Sequence, residues 1–264
     1  MRVTWVLESN VFSERCFDEM VDHLRRHEYP FHIVQIIPFS HELVGPTPIV
    51  EGPCVAYGSL GVQKLATSQG WKPGVWTNDG FASTTYASRL GGLFLNQGLV
   101  KCRFSDVPAK VRALDWGTFF IKPDSDGKAF AGTLVDWAEM DDWVDTLRGS
   151  GLLTENDFDV VLAQPKSLGR EWRTVVVGGQ VAAFSLYRRY QRVWTDRSIE
   201  PEAQATVEQA AKLFAPAEVY VADVCETNEG MKIIEYNTFN SAGLYACDTS
   251  AVIEKVSTWV ANHR

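Results

Sequence analysis

The chain has 264 residues, 45% of them hydrophobic and 22% charged, with a formal net charge of -8. That length and mix bury a full core in one large or two medium globular domains. The acidic balance excludes a broad basic field for nucleic acid, although Arg188, Arg189 and Arg192 fall within one short stretch.

Five cysteines (Cys16, Cys54, Cys102, Cys225, Cys247) are odd in number and contain no CxxC pair. They read as reduced thiols of a cytoplasmic protein, not as a disulfide frame or a zinc site. The opening apolar stretch stops at Glu8, too short for a signal peptide. No run approaches the roughly 18 apolar residues of a membrane helix. His23 and His27 stand at the i, i+4 spacing of a zinc pair, but HLRRH lacks the intervening Glu and reads as a solvated face.

Residues 3–7 (VTWVL) predict a buried strand. Residues 14–27 predict an amphipathic helix with Ser13 as N-cap and Met20, Val21 and Leu24 inward. Residues 31–37 give a second strand stopped by Pro38, and residues 53–57 a third. Gly58-Ser59-Leu60-Gly61 then leads into a helix reaching about Gln69. This succession predicts a small parallel α/β unit. The GSLG turn reads more readily as a tight turn than as a phosphate cradle. Residues 70–100 carry Trp71, Trp76, Phe81, Tyr86 and Phe94 without a clear period, which fits the lining of a cleft. Residues 106–115 read as a short helix or linker, and the domain boundary is set at 105/106.

Residues 116–122 (WGTFFIK) predict a strand ending at Lys122, before the loop PDSDGK. A lysine at the end of a rigid element beside a polar loop suits a polyphosphate; taken alone, it is more often a surface lysine. Lys128 in that loop is the weaker candidate. Residues 130–135 resume as a strand, residues 140–147 as a helix, and residues 159–164 as a buried strand running into Pro165-Lys166. Residues 171–177 and 180–188 flank Gly178-Gly179, a two-residue hairpin signal. That register turns Glu171, Arg173 and Arg188 to one face, either as a structural ion pair or as a site. Pro201 opens a helix over 201–214, and residues 249–261 close the chain as another.

Residues 219–245, VYVADVCETNEGMKIIEYNTFNSAGLY, form two alternating runs around the turn Asn228-Glu229-Gly230. The register sets Asp223 opposite Glu235, roughly 5 Å apart at Cβ, with Asn237 on the same face. Two carboxylates so close repel unless a cation lies between them. Hard oxygen donors with one neutral amide suit Mg2+ that also meets phosphate oxygens. Two solvated carboxylates at a strand end are the plain alternative.

The order of these pieces resembles the ATP-grasp superfamily. The matching phrases are FIKPDSDGKAF, VLAQPKSLGREWR, SLYRR and EYNTFNSAGLY; FIKPD…KAFAG, EWR…SLYRR and EYNTFNSAGLY look like a small subgroup found in phages and bacterial conflict systems. The resemblance spans about residues 116–250. It implies an α/β N-terminal domain at 1–105 and, at 106–264, an ATP-grasp fold of two α+β subdomains (about 116–163 and 164–264) holding ATP between them. It implies that Lys122, with Lys128, binds phosphates; that the backbone of Gln164, Pro165 and Lys166 meets adenine; and that Glu171 takes the ribose hydroxyls or an adjacent polar contact. Asp223, Glu235 and Asn237 would hold one or two Mg2+ ions, Arg173 and Arg188 would be catalytic at the phosphates, and Asn240 and Ser241 would lie near the acceptor. The multi-glycine run after Lys122 is missing, and the second phosphate lysine has only Lys101 as a candidate.

The implied activity is an ATP- and Mg2+-dependent ligase joining a carboxylate to an amine through an acyl-phosphate, with release of ADP. Its partners would be ATP and a peptide or an acidic small molecule, without membrane or favoured nucleic acid. Two other classes stay open. One is a nucleotidyltransferase with a covalent lysyl-AMP, since Lys122-Pro123-Asp124 echoes Lys-x-Asp-Gly with Ser125 in place of the Gly. The other is a non-catalytic nucleotide-binding module.

Overall fold

The computed structural model describes residues 2–11, 16–38, 42–127, 129–149 and 157–263. The chain folds into two compact units: residues 1–78 with 168–264, and residues 79–167. The expected helix N-cap Ser13 and the candidate Lys128 lie outside the described residues.

The first unit opens with β1 (Thr4–Glu8), α1 (Cys16–Arg26), β2 (Phe31–Val34), β3 (Cys54–Tyr57), α2 (Leu60–Ser68) and the short β4 (Pro73–Gly74). The strands form a parallel sheet in the order β2-β1-β3-β4. β1 and β3 are buried throughout, as parallel strands covered on both faces are. The second strand is shorter than its apolar run, because Ile36 leaves it to form an isolated bridge with Leu43. In the GSLG turn Ser59 caps α2 by accepting from Gly61 N–H, and Ser59 N–H donates to Glu8 Oε2 at 2.7 Å. A carboxylate already sits at this helix start, so the turn is structural.

The second unit holds α3 (Ser83–Leu90), β5 (Val100–Arg103), α4 (Val107–Leu114), β6 (Thr118–Pro123), β7 (Thr133–Asp136), α5 (Met140–Gly149) and β8 (Asp159–Ala163). Its antiparallel sheet runs β5-β8-β6-β7. Phe119, Ile121, Val160 and Leu162 turn one face into a core with α4 and α5. β5 lies inside this sheet's unit, so the compact unit begins at residue 79 and not at the expected 106.

The chain then returns to the first unit with β9 (Arg170–Val177), β10 (Gln180–Arg189), β11 (Arg192–Asp196), α6 (Pro201–Leu213), β12 (Val219–Thr227), β13 (Gly230–Thr238) and α7 (Thr249–Asn262). These strands form an antiparallel sheet ordered β11-β10-β9-β12-β13. Gly178 and Gly179 take positive φ angles (56° and 81°), as a two-residue hairpin turn requires. The first and last parts of the chain share a core: Val3, Trp5, Met20 and Leu24 pack with Val175, Val221, Phe239, Val252 and Val256. That common core is why residues 1–78 join the C-terminal half and do not stand as a separate domain. No helix among the described residues is long and apolar enough to cross a membrane.

The aromatics of residues 70–100 fill cores instead of lining a cleft. Trp71 and Trp76 are buried in the first unit, and Phe81, Tyr86 and Phe94 in the second, where Tyr86 and Phe94 meet edge to face at 5.2 Å.

Candidate active site

Strand alternation and register bring the acidic and basic candidates of the first unit to one face. Asp223 pairs with Glu235 across β12 and β13 and with Arg173 across β12 and β9. Asn237 follows two residues after Glu235 on the same face and donates Nδ2–H to Glu235 Oε1 at 3.2 Å. Gly230, at φ 94°, takes the conformation the turn needs; the turn itself is tighter than expected, since Thr227 already pairs with Gly230.

Arg173 is the closest neighbour the sequence left unpaired with Asp223. Its Nε–H and Nη2–H donate to Asp223 Oδ1 and Oδ2 at 2.9 and 2.7 Å, and Nη1–H donates to the Gly243 carbonyl at 2.9 Å. The guanidinium carbon lies 4.9 Å from the Tyr245 ring centre and 5.7 Å from that of Tyr187, and those two rings stack at 5.0 Å. Burial alone would discharge Arg173; the adjacent Asp223 carboxylate outweighs it and holds the group firmly protonated. Three of the Arg173 N–H donors are thus fixed on Asp223 and Gly243.

Glu171 lies two residues earlier on β9 and is 3% exposed. Tyr187 donates its hydroxyl to Glu171 Oε2 at 2.9 Å, and Arg188 Nη1 stands 4.0 Å from Oε1. Oε1 itself is buried and accepts no hydrogen bond. Burial raises the Glu171 carboxyl above its ordinary value, Tyr187 and Arg188 oppose this, and Asp223 and Glu235 add to it. The Tyr187 phenol is pushed well up, first by burial and then by Asp223 and Glu171. Burial also lifts the Cys225 thiol to about 12, so it is no nucleophile at neutral pH.

Asn240 and Ser241 are both buried. Asn240 is fully buried; its amide donates to the carbonyls of Ala56 and Gly74 and accepts from Trp76 N–H at 2.9 Å. Its own carbonyl accepts from Gly58 N–H at 2.8 Å. The Ser241 hydroxyl is buried 3.0 Å from that of Thr238. Asn240 thus ties the end of β13 to the parallel sheet, whereas Ser241 is bonded locally to β13.

In the second unit Lys122 is the next-to-last residue of β6, which Pro123 ends. Lys101 on β5 and Lys122 on β6 both pair with Val161 of β8, so they stand level on one face, two strand spacings apart. Lys101 Nζ contacts Asp159 at 2.8 Å and Asp124 at 3.0 Å, and those bonds raise its pKa. Gln164, Pro165 and Lys166 are exposed and lie outside the strands, between β8 and β9.

For a metal, the donor chemistry fits a hard cation. No group of three or more His, Cys, Asp or Glu side chains suited to a metal occurs among the described residues. Asp223 and Glu235 therefore need the Asn237 amide as third protein donor, the mixed set that suits Mg2+ with phosphate oxygens. Each Asp223 oxygen accepts one bond from Arg173.

This architecture is the ATP-grasp fold. Solved structures share it over nearly the whole chain. A RimK domain ATP-grasp protein from Sphaerobacter thermophilus is 14% identical with a TM-score of 0.64, covering 98% of this chain and 99% of its own. The D-cycloserine synthetase DcsG is 12% identical with a TM-score of 0.64 and the same coverage. The D-alanine–D-alanine ligase from Bacillus anthracis, solved with ATP, is 14% identical with a TM-score of 0.61, covering 99% of this chain and 98% of its own. A search of curated proteins finds no match in sequence. The family model of the ATP-grasp domain, R2K clade family 3, matches residues 61–256, and the chain belongs to that family.

Proposed function

We propose that this protein is an ATP- and Mg2+-dependent ligase that joins a carboxylate to an amine, or a similar nucleophile, through an acyl-phosphate and releases ADP and phosphate. Its main support is the face where Asp223, Glu235 and Asn237 stand in register beside Glu171, whose buried Oε1 accepts no hydrogen bond. A lone buried acceptor costs about 1–3 kcal/mol unless a ligand satisfies it. A ribose hydroxyl would do so.

Each residue then has a task. The backbone of Gln164, Pro165 and Lys166, outside any strand, would meet the adenine. Lys122 and Lys101 would bind phosphate oxygens. Asp223, Glu235 and Asn237 would hold Mg2+, which would supply neutralisation of the nucleotide's phosphate charge. Arg173, fixed by Gly243 and two tyrosine rings, would keep Asp223 oriented. Arg188, 44% exposed at its side chain, has the freedom to meet the γ-phosphate or the acyl-phosphate. Phosphoryl transfer asks for alignment and charge neutralisation more than for an acid or base, and this set offers both. The neighbours whose names specify D-alanine–D-alanine ligation and D-cycloserine synthesis lend support to amide-type bond formation. PsnB, solved with a precursor peptide, lends support to a peptide as one partner.

Hydroxylamine trapping tests this. With ATP, Mg2+ and a panel of amino acids and peptides, an acyl-phosphate yields a hydroxamate and a matching amount of ADP. Formation of AMP, or ATP consumption that no carboxylate stimulates, would refute it.

A further inference from the structure

β11 is an edge strand with Arg192, Val193, Trp194 and Thr195 exposed. It is joined to β10 by Tyr190 and Gln191, both at positive φ (47° and 68°). Neither is a residue that favours that conformation. The hairpin exposes three large apolar side chains: Tyr190 (72%), Val193 (76%) and Trp194 (54%).

Its charges are set against local preference. Arg170, Arg189 and Arg192 stand level on β9, β10 and β11. Arg170 is neutralised by Glu226 and Glu200. Arg189 has a distant acid, Asp196 at 3.9 Å, and its guanidinium lies 5.3 Å from the Trp194 ring centre. Arg192, directly opposite Arg189, is exposed. Like charges directly opposite each other on a sheet are destabilising. A pairing kept against that cost marks a functional surface.

We propose that the outer edge of β11, with the Arg189, Arg192 and Trp194 face, docks an extended acidic peptide segment that adds to the five-stranded sheet as a further strand. The edge offers backbone donors and acceptors to a peptide, which a nucleic acid cannot use as a ladder. The two arginines meet carboxylates on one face of the added strand, and the Trp194 ring covers an apolar residue between them. A chain of net charge -8 repels a long polyanion, yet this hairpin carries three arginines against one aspartate. β10 also carries Tyr187 and Arg188 at the Glu171 cluster, so one strand links the docking edge to the candidate active site. That the docked peptide is the ligase substrate rests on the function proposed above; the docking does not.

The test is fluorescence anisotropy with the full chain and no nucleotide. The probe is a short fluorescein-labelled peptide of repeating Glu-Ser-Val-Ser, which sets Glu and Val by turns on one face of a strand, compared with a Lys-Ser-Val-Ser peptide and an oligouridine. The acidic peptide should bind saturably and more weakly as salt rises. Arg189→Glu with Arg192→Glu should weaken binding by about tenfold or more, about 1.4 kcal/mol, with an unchanged melting temperature and unchanged ATP affinity. If the double variant melts early, Trp194→Ala and Arg192→Gln carry the same comparison. No binding, equal binding of the Lys peptide, tighter binding of oligouridine, or variants that bind like wild type would each overturn the proposal. Loss of ATP binding by the wild-type chain would instead sink the ligase function and leave the docking result standing.

Discussion

Arg173 and Asp223 face each other across β9 and β12, and the two carboxylate oxygens accept from two guanidinium nitrogens at 2.9 and 2.7 Å. Both side chains are largely buried, at 12% and 3% exposure. The cation that the paired carboxylates of this hairpin require is therefore supplied in part by the protein itself. Breaking such a pair leaves one uncompensated buried charge, which costs about 3–5 kcal/mol, whereas replacing both partners by apolar residues is often near neutral. Arg173→Met should lower stability in urea by that amount, and Arg173→Met with Asp223→Leu should recover most of it. A single variant as stable as wild type would show the pair is not held as described.

Glu171 predicts a pH signature. Burial raises its carboxyl above the ordinary value, so the folded chain holds that proton more tightly than the unfolded chain does. The stability tied to this group is full below the unfolded carboxylate pKa and is lost as pH rises through the higher folded one. Glu171→Gln should therefore raise the melting temperature at neutral pH, and the gain should vanish in acid. The same variant should weaken ATP binding if Oε1 meets the ribose. Differential scanning fluorimetry from pH 4 to 8 reads the first effect and titration calorimetry the second.

Asn240 should behave as a structural residue. Asn240→Ala strands the Trp76 N–H and the carbonyls of Ala56 and Gly74 in the core. Each stranded group costs about 1–3 kcal/mol, so the variant should unfold several kcal/mol earlier in denaturant. A stable Asn240→Ala protein with a changed acceptor preference would restore the substrate role expected from the NSAGLY phrase.

Lys101 and Lys122 stand level beside Val161, and both should contribute to nucleotide affinity. Lys122→Ala and Lys101→Ala should each weaken ATP binding by roughly 1.5–3 kcal/mol, the range of a hydrogen bond to a charged group. Lys101→Ala should also lower stability as pH rises above the carboxylate range, because Asp159 is held below its ordinary pKa chiefly by that lysine. Equal ATP affinity in wild type and both variants would remove the lysines from the phosphate site.

Much of this arrangement was readable from side-chain alternation. Asp223 meets Glu235 as expected from the turn, but only because a register shift between Asp223 and Val224 offsets the tighter turn at Thr227 and Gly230, and period-2 alternation does not announce such a bulge. The Gly178-Gly179 turn announced its hairpin. The Arg173–Asp223 bond was not readable, since β9 and β12 are neighbours only after β10, β11 and α6 intervene, and no local pattern encodes that pairing. β11 escaped notice because Tyr190-Gln191 lacks the Asn or Gly that marks a tight turn. Asn240 is expected near the acceptor only because the family resemblance implies it for the NSAGLY loop. Only its burial against β3 and β4 shows where its bonds go.

The most direct test of the whole account is calorimetric titration of a non-hydrolysable ATP analogue, with and without Mg2+, into wild type and Glu235→Gln. The wild type should bind the analogue more tightly with Mg2+ than without it. Glu235→Gln should lose that Mg2+-dependent gain, about 10- to 100-fold as for altered metal sites, while unfolding at the wild-type temperature in the absence of nucleotide. Equal, Mg2+-dependent binding by both proteins would contradict the assignment of the cation to the hairpin of β12 and β13.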